Sequence, residues 1–169
     1  MGYVNDVSLA HFVSPFKCGY SAGTWTPTVD VNVISNVRTA QAADFDVYIP
    51  LELPGSEAFK QGAKITSIDV WYDVSEAALT GLSGPVLVKI ALPANDDNPS
   101  GSNPTITMDT AHDTEAECLT TGDHKMTITP STPFYLEDDY AYYISFTCTP
   151  AAGSVFSLIG AQIKYELRL

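Results

Sequence analysis

The sequence predicts an all-β fold: an antiparallel β-sandwich, jelly-roll-like, with an N-terminal extended arm. Three observations lead there. Apolar and polar residues alternate in at least six separate segments, the period of a strand with one buried face. Short runs rich in Gly, Pro and Ser separate those segments, as expected between antiparallel strands. No segment has the dozen or more helical residues that a crossover between parallel strands needs. At 169 residues and with 45% apolar composition the chain fits one domain with a sizeable core.

Taken in order, residues 1–22 show little sustained periodicity, and 1–23 read as an arm or docking segment ahead of a single β-sandwich domain at 24–169. Phe12, Phe16 and Tyr20 equip the arm to dock on its own domain or on a neighbouring subunit. Trp25-Thr26-Pro27 opens a strand or extended segment, and 32–43 reads as a polar connection. Phe45, Val47, Ile49, Leu51 and Leu53 then share one parity. Residues 56–61 and 75–79 have the composition of short helices. Between them Ile68, Val70, Tyr72 and Val74 form a strand face, with Asp69, Trp71 and Asp73 opposed to it and Ile65 and Ser67 in line with the opposed set. Thr80 to Pro85 reads as a turn, and Val86, Val88, Ile90 and Leu92 as the next inward face. The stretch from Pro93 to Pro104 is the longest loop. Residues 110–119 suit a loop or one to two helical turns. Met126 and Ile128 mark a short strand; Tyr140, Tyr142, Ile144, Phe146 and Cys148 a longer one. Ala151 to Ser154 make a turn. The last strand is read with Val155, Ile159, Ala161, Ile163, Tyr165, Leu167 and Leu169 inward.

Composition excludes several classes. Eight basic residues against twenty acidic ones give a formal charge of -12, too little basic surface for nucleic acid. No apolar run approaches the roughly twenty residues of a membrane span. The opening Met1-Gly2-Tyr3-Val4-Asn5-Asp6 carries neither a signal-peptide core nor, with Asp6 in place of Ser or Thr, a myristoylation signal. Cys18, Cys118 and Cys148 lack metal-ligand spacing and read as buried small hydrophobes made in a reducing compartment.

Catalytic motifs are missing. His11, His112 and His124 are too far apart in sequence for a short metal motif. No nucleophile elbow, phosphate loop or dinucleotide fingerprint occurs, and the expectation is no enzyme and no cofactor. Asp96, Asp97, Asn98 and Ser100 could supply hard oxygens for a structural calcium, joined by Asp109 with Asp113 or Asp138 with Asp139, without the spacing of an EF-hand. Asp69 and Asp73 flanking Trp71 admit an acid-lined aromatic strip for sugar; the plainer reading is a solvated outward face. Tyr48, Trp71 and Tyr143 are the exposed-aromatic candidates, beside Phe12, Phe16 and Tyr20 on the arm.

Trp25-Thr26-Pro27, the run Gly62-Ala63-Lys64-Ile65-Thr66-Ser67-Ile68, Asp139-Tyr140-Ala141-Tyr142-Tyr143-Ile144 and Leu158-Ile159-Gly160-Ala161-Gln162-Ile163-Lys164-Tyr165 together resemble the β-sandwich head domains of phage and phage-like virion surface proteins, of decoration or head/tail accessory type. That resemblance implies a non-enzymatic structural subunit of a larger assembly, located on a virion surface and made in the host cytoplasm, partnered by further copies of itself or by a major capsid or other virion protein. Two alternatives stand beside it, a carbohydrate-binding module with a glycan as partner and a cell-surface filament module.

Overall fold

The computed structural model describes residues 6–53, 62–95, 97–112 and 115–168. Its strands in chain order are β1 (Asp6–Val13), β2 (Gly19–Tyr20), β3 (Trp25–Val29), β4 (Ile34–Arg38), β5 (Phe45–Pro50), β6 (Ala63–Ser75), β7 (Leu79–Ala91), β8 (Ser100–Ser102), β9 (Ile106–Met108), β10 (Gly122–Pro130), β11 (Phe134–Tyr135), β12 (Tyr140–Pro150) and β13 (Val155–Arg168), with one short helix, α1 (Glu115–Leu119). They form an antiparallel β-sandwich. The larger sheet runs β3-β4-β13-β6-β10-β9, with β1 on β13 and β11 on β6; the smaller runs β2-β5-β12-β7-β8. From β5 to β7, and again from β11 to β13, each connection carries the chain from one sheet to the other, the jelly-roll-like feature of the topology.

The alternation places the core as expected in four strands. Phe45, Val47 and Ile49 of β5, Ile68, Val70, Tyr72 and Val74 of β6, Met126 and Ile128 of β10, and Ile144, Phe146 and Cys148 of β12 are all buried between the sheets. An aromatic cluster ties the two layers together: Phe156 of β13 meets Phe45 of the facing sheet edge to face at 5.2 Å and stacks on Tyr72 of its own sheet at 5.4 Å.

Strict alternation fails where the ladder slips. Between β13 and β6 the register shifts at Leu158/Gly160 and at Lys164/Tyr165, and each β-bulge exchanges inside for outside. Hence Phe156 and Leu158 are core residues in place of Val155 and Ile159, and Ile65 is fully buried, off the outward strip where parity put it. A third slip, between Ser145 and Thr147 of β12, falls opposite Gly84 and Pro85. The expected turn from Thr80 to Pro85 is therefore the bulged first half of β7, where a strand tolerates Pro. Beyond it the inward residues are Leu87 and Lys89, not Val88 and Ile90, and Val86 and Leu92 are exposed.

Other local expectations change for similar reasons. The connection 32–43 contains β4, paired along β3. Residues 75–79 make a tight corner between the sheets with Glu76 at a φ of 66°, instead of a short helix. The long loop contributes β8 to an edge. The helix suggested at 56–61 lies outside the described residues.

The extended N-terminal segment joins both layers. β1 pairs with β13 along its whole length, from Asp6 opposite Arg168 to Val13 opposite Ala161, while β2 pairs with β5. Tyr20 stacks on Trp25 at 3.9 Å, and its hydroxyl donates to the Pro15 carbonyl at 2.7 Å.

Candidate functional site

At one end of the sandwich the inward parity of β7 runs out of hydrophobic residues and presents Lys89. Its ammonium lies 3.8 Å from the centre of the Tyr140 ring and 5.9 Å from that of Tyr142, and it is ion-paired with Glu137. Burial works against the charge here, but the Glu137 carboxylate and the tyrosines outweigh it and hold the lysine pKa above its ordinary value. Glu137 is itself held by chain geometry, since its N–H donates to the Tyr142 hydroxyl at 3.3 Å. Phe134 of β11 stacks on Tyr142 with ring centres 5.7 Å apart.

These groups wall an open cleft of about 430 Å³, lined by Lys89, Pro104, Thr105, Ser131, Thr132, Phe134 and Glu137. The volume suits a small ligand or one or two units of a larger one. The chemistry is mixed: a ring face, an ammonium donor, a carboxylate acceptor and three hydroxyls able to do either. Among the described residues lining it, Glu137 is the one carboxylate. A smaller recess of about 150 Å³ adjoins it through Glu137, walled by Leu51, Leu53, Leu136, Asp138, Tyr140 and Tyr142.

Sequence reasoning passed over this cleft. Lys89 was hidden by the parity error in β7, and Phe134 and Glu137 sit in a two-residue strand and the loop after it, too short to show a period. The available signal was the dense run from Phe134 to Tyr143, in which aromatic and acidic residues alternate in clusters.

The six exposed-aromatic and arm candidates distribute over three places. Tyr48 and Tyr143 meet edge to face at 6.0 Å on the outer face of the smaller sheet, near the exposed Val86. Trp71 lies on the outer face of the larger sheet, with Lys125 at 5.8 Å from its ring. Phe12 is 45% exposed on the same side, its ring over Gly160: a Cβ there would stand 2.6 Å from Phe12 Cζ and 2.8 Å from the Val13 carbonyl, and the φ of +140° already favours glycine. Phe16 is exposed on a 3₁₀ turn, and Tyr20 is spent on its own stack with Trp25.

Two of the histidines and Asp109 are engaged within the chain. His112 and His124, far apart in sequence, approach to 5.7 Å; His112 Nδ1 is bound to Asp109 at 2.9 Å and His124 Nε2 meets the Thr120 carbonyl at 2.8 Å. Asp109 also accepts from the Thr127 N–H at 2.6 Å. Among the described residues no three His, Cys, Asp or Glu side chains gather as metal ligands, and Asp96 and Asp113 of the calcium suggestion lie outside them. The three cysteines are buried and form no disulfide with one another, and burial pushes the Cys18 thiol up to about 12. No helix among the described residues is long and apolar enough to cross a membrane.

The sequence matches no protein-family model and no curated protein. Among solved structures the chain is similar to TmCBM61 in complex with β-1,4-galactotriose, at 12% identity and a TM-score of 0.39, covering 96% of this chain and 88% of that one. It is similar to CBM86, a low-affinity xylan binding module from Roseburia intestinalis, at 12% identity and a TM-score of 0.37, covering 94% and 96%. A third likeness is to the enzymatically active domain of tailspike protein 4 of bacteriophage CBA120, at 9% identity and a TM-score of 0.36, covering 98% of this chain and 19% of that one.

Proposed function

We propose that this chain is a non-catalytic glycan-binding β-sandwich module, with the Lys89, Glu137 and Phe134 cleft as its binding site. One observation carries the reading: a cleft of about 430 Å³ in which an aromatic ring, a fixed ammonium–carboxylate pair and three hydroxyls face the same space. A pyranose has a C–H face that stacks on a ring and hydroxyls that both donate and accept, so it uses every group on that wall. Each partner is anchored by its neighbours, Phe134 on Tyr142 and Lys89 on Tyr140 and Glu137. Little ordering therefore opposes binding. Binding without turnover is supported by the cleft's single described carboxylate, already ion-paired, where glycoside hydrolysis calls for two at a set separation.

Calorimetric titration with a panel of neutral soluble oligosaccharides tests the proposal. At least one should bind saturably, with Phe134→Ala and Glu137→Gln each weakening it tenfold or more while the far-ultraviolet spectrum stays unchanged. Binding that survives both substitutions, or no binding across the panel, would remove the cleft as a glycan site.

A second reading, a subunit of an assembly such as a virion surface, is favoured by the outer face of the smaller sheet. There Tyr48, Tyr143 and Val86 leave aromatic and aliphatic surface uncovered, with Val86 41% exposed.

A further inference from the structure

The outer face of the larger sheet holds a second constellation, which shares no residue with the cleft. β6 presents Asp69 and Trp71 two residues apart, hence on one face. Across the ladder β10 sets Lys125 opposite Trp71 and Thr127 opposite Asp69; β13 sets Gln162 opposite Asp69 and Lys164 opposite Ser67. Asp69 is only 2% exposed although it lies on an outward face. Its Oδ1 accepts from the Thr127 hydroxyl at 2.8 Å, and its Oδ2 takes both Lys164 Nζ at 2.8 Å and Lys125 Nζ at 3.2 Å.

Two ammoniums on one carboxylate oxygen give that ion-paired trio one net positive charge. Elsewhere the described lysines are matched singly, Lys17 with Glu52, Lys64 with Glu166 and Lys89 with Glu137. The Lys125 and Lys164 side chains stay 50% and 44% exposed while the buried Asp69 fixes where their heads stand. Lys125 also lies 5.8 Å from the centre of the Trp71 ring. On the other flank of Trp71 the facing pair Asp73 and Asp123 is acidic, so an anion is directed to the lysine end. Beside Lys164 a shallow recess of about 380 Å³ is lined by Ser8, Leu9, Ala10, Thr66, Lys164 and Tyr165.

We propose that this face is a separate binding site for an acidic glycan, one whose sugar units carry carboxylates. A pyranose ring lies on the Trp71 indole, its carboxylate is held by the Lys125 and Lys164 ammoniums, and the chain continues along the recess beside Lys164. The indole selects a flat C–H face, and the pre-set cation pair selects a carboxylate near it. The Ser67 hydroxyl and Gln162 amide on this face suit a sugar chain better than an acidic peptide, which gains its main-chain hydrogen bonds at a sheet edge. This inference does not depend on the cleft, and its test separates the two.

The full chain is titrated with trimers of galacturonate, glucuronate and mannuronate, and with their methyl esters, which keep the sugar and remove the charge. Calorimetry and Trp71 fluorescence report binding, with Trp71→Phe as the spectroscopic control. At least one acid trimer should bind and quench, and its ester should bind at least tenfold more weakly. Lys125→Gln should lower the acid's affinity to that of its ester, whereas Phe134→Ala in the cleft should change neither. Lys164→Gln, which leaves Lys125 on Asp69, serves if Lys125→Gln does not fold. The proposal falls if no acid trimer binds, if acid and ester bind alike, if a short poly-glutamate competes as well as the trimer, or if Phe134→Ala abolishes the binding and Lys125→Gln does not. Acid binding here with no neutral glycan bound anywhere would end the cleft reading and leave this one standing.

Discussion

Arg38 is among the largest side chains fully withdrawn from solvent, 1% exposed at the end of β4. Among the described residues no carboxylate is ion-paired with it. Its guanidinium instead donates to the carbonyls of Ala22, Gln41 and Ala43, at 3.4, 2.9 and 2.7 Å, and lies 4.4 Å from the centre of the Phe45 ring. It thereby satisfies backbone that enters and leaves the β3–β4 hairpin without any secondary structure of its own. Arg38→Met retains much of the volume and leaves those carbonyls unpaired, and should cost about 3 kcal/mol. The urea midpoint measures it: a loss below about 1 kcal/mol would mean that water or a shift of the loop replaces the guanidinium.

At the scale of an element, β6 carries most of the molecule's organisation. One face is the centre of the core, and the other places Asp69, Trp71 and Asp73 in line. The two acids have opposite electrostatics. Desolvation raises the pKa of Asp69, but hydrogen bonds from Lys164, Thr127 and Lys125 outweigh it and hold it below the usual carboxylate range; Asp46, through Thr147, and Asp109, through the Thr127 N–H against its own burial, are lowered as well. Asp73 is raised, first by desolvation and then by Asp123 directly across the ladder. Groups with lowered values add stability above the unfolded carboxylate pKa of about 4 and lose it as pH falls through their folded values. Asp73 does the reverse: its contribution is favourable below about pH 4 and is lost as pH rises through its folded pKa. Asp73→Asn should therefore stabilise the protein by about 0.5 kcal/mol at pH 7, the scale of a facing like-charge pair. Urea titrations at pH 7 and near pH 3 should show that gain vanishing on acidification; an equal gain at both would assign it to something other than charge.

For the whole molecule, surface charge and exposed hydrophobic area point in opposite directions. A net charge of -12 keeps copies apart, while the Tyr48, Tyr143 and Val86 face favours contact. The glycan-binding reading predicts a concentration-independent monomer by multi-angle light scattering. An oligomer that Val86→Asp dissolves would transfer the weight to the assembly reading and place its contact on the smaller sheet.

Period-two alternation in β5, β6, β10 and β12 was enough to identify a two-layered antiparallel fold and the middle of its core, because burying one face of a strand demands that pattern wherever pairing stays in register. It also put Trp71 and Asp69 on one outward face and kept Tyr48 and Tyr143 outward. What the chain alone could not disclose depends on pairing between distant segments. The bulges that bring Ile65, Phe156 and Leu158 inward exist only where β13 meets β6. Lys89 turns inward only because β7 slips against β12, and this brings it onto Glu137, 48 residues away. Lys125 and Lys164 converge on Asp69 from two different neighbours of β6. Local sequence sets which face of a strand is apolar; register and strand order, which are non-local, decide which polar groups from separate strands share one space, and so where both candidate binding sites arise.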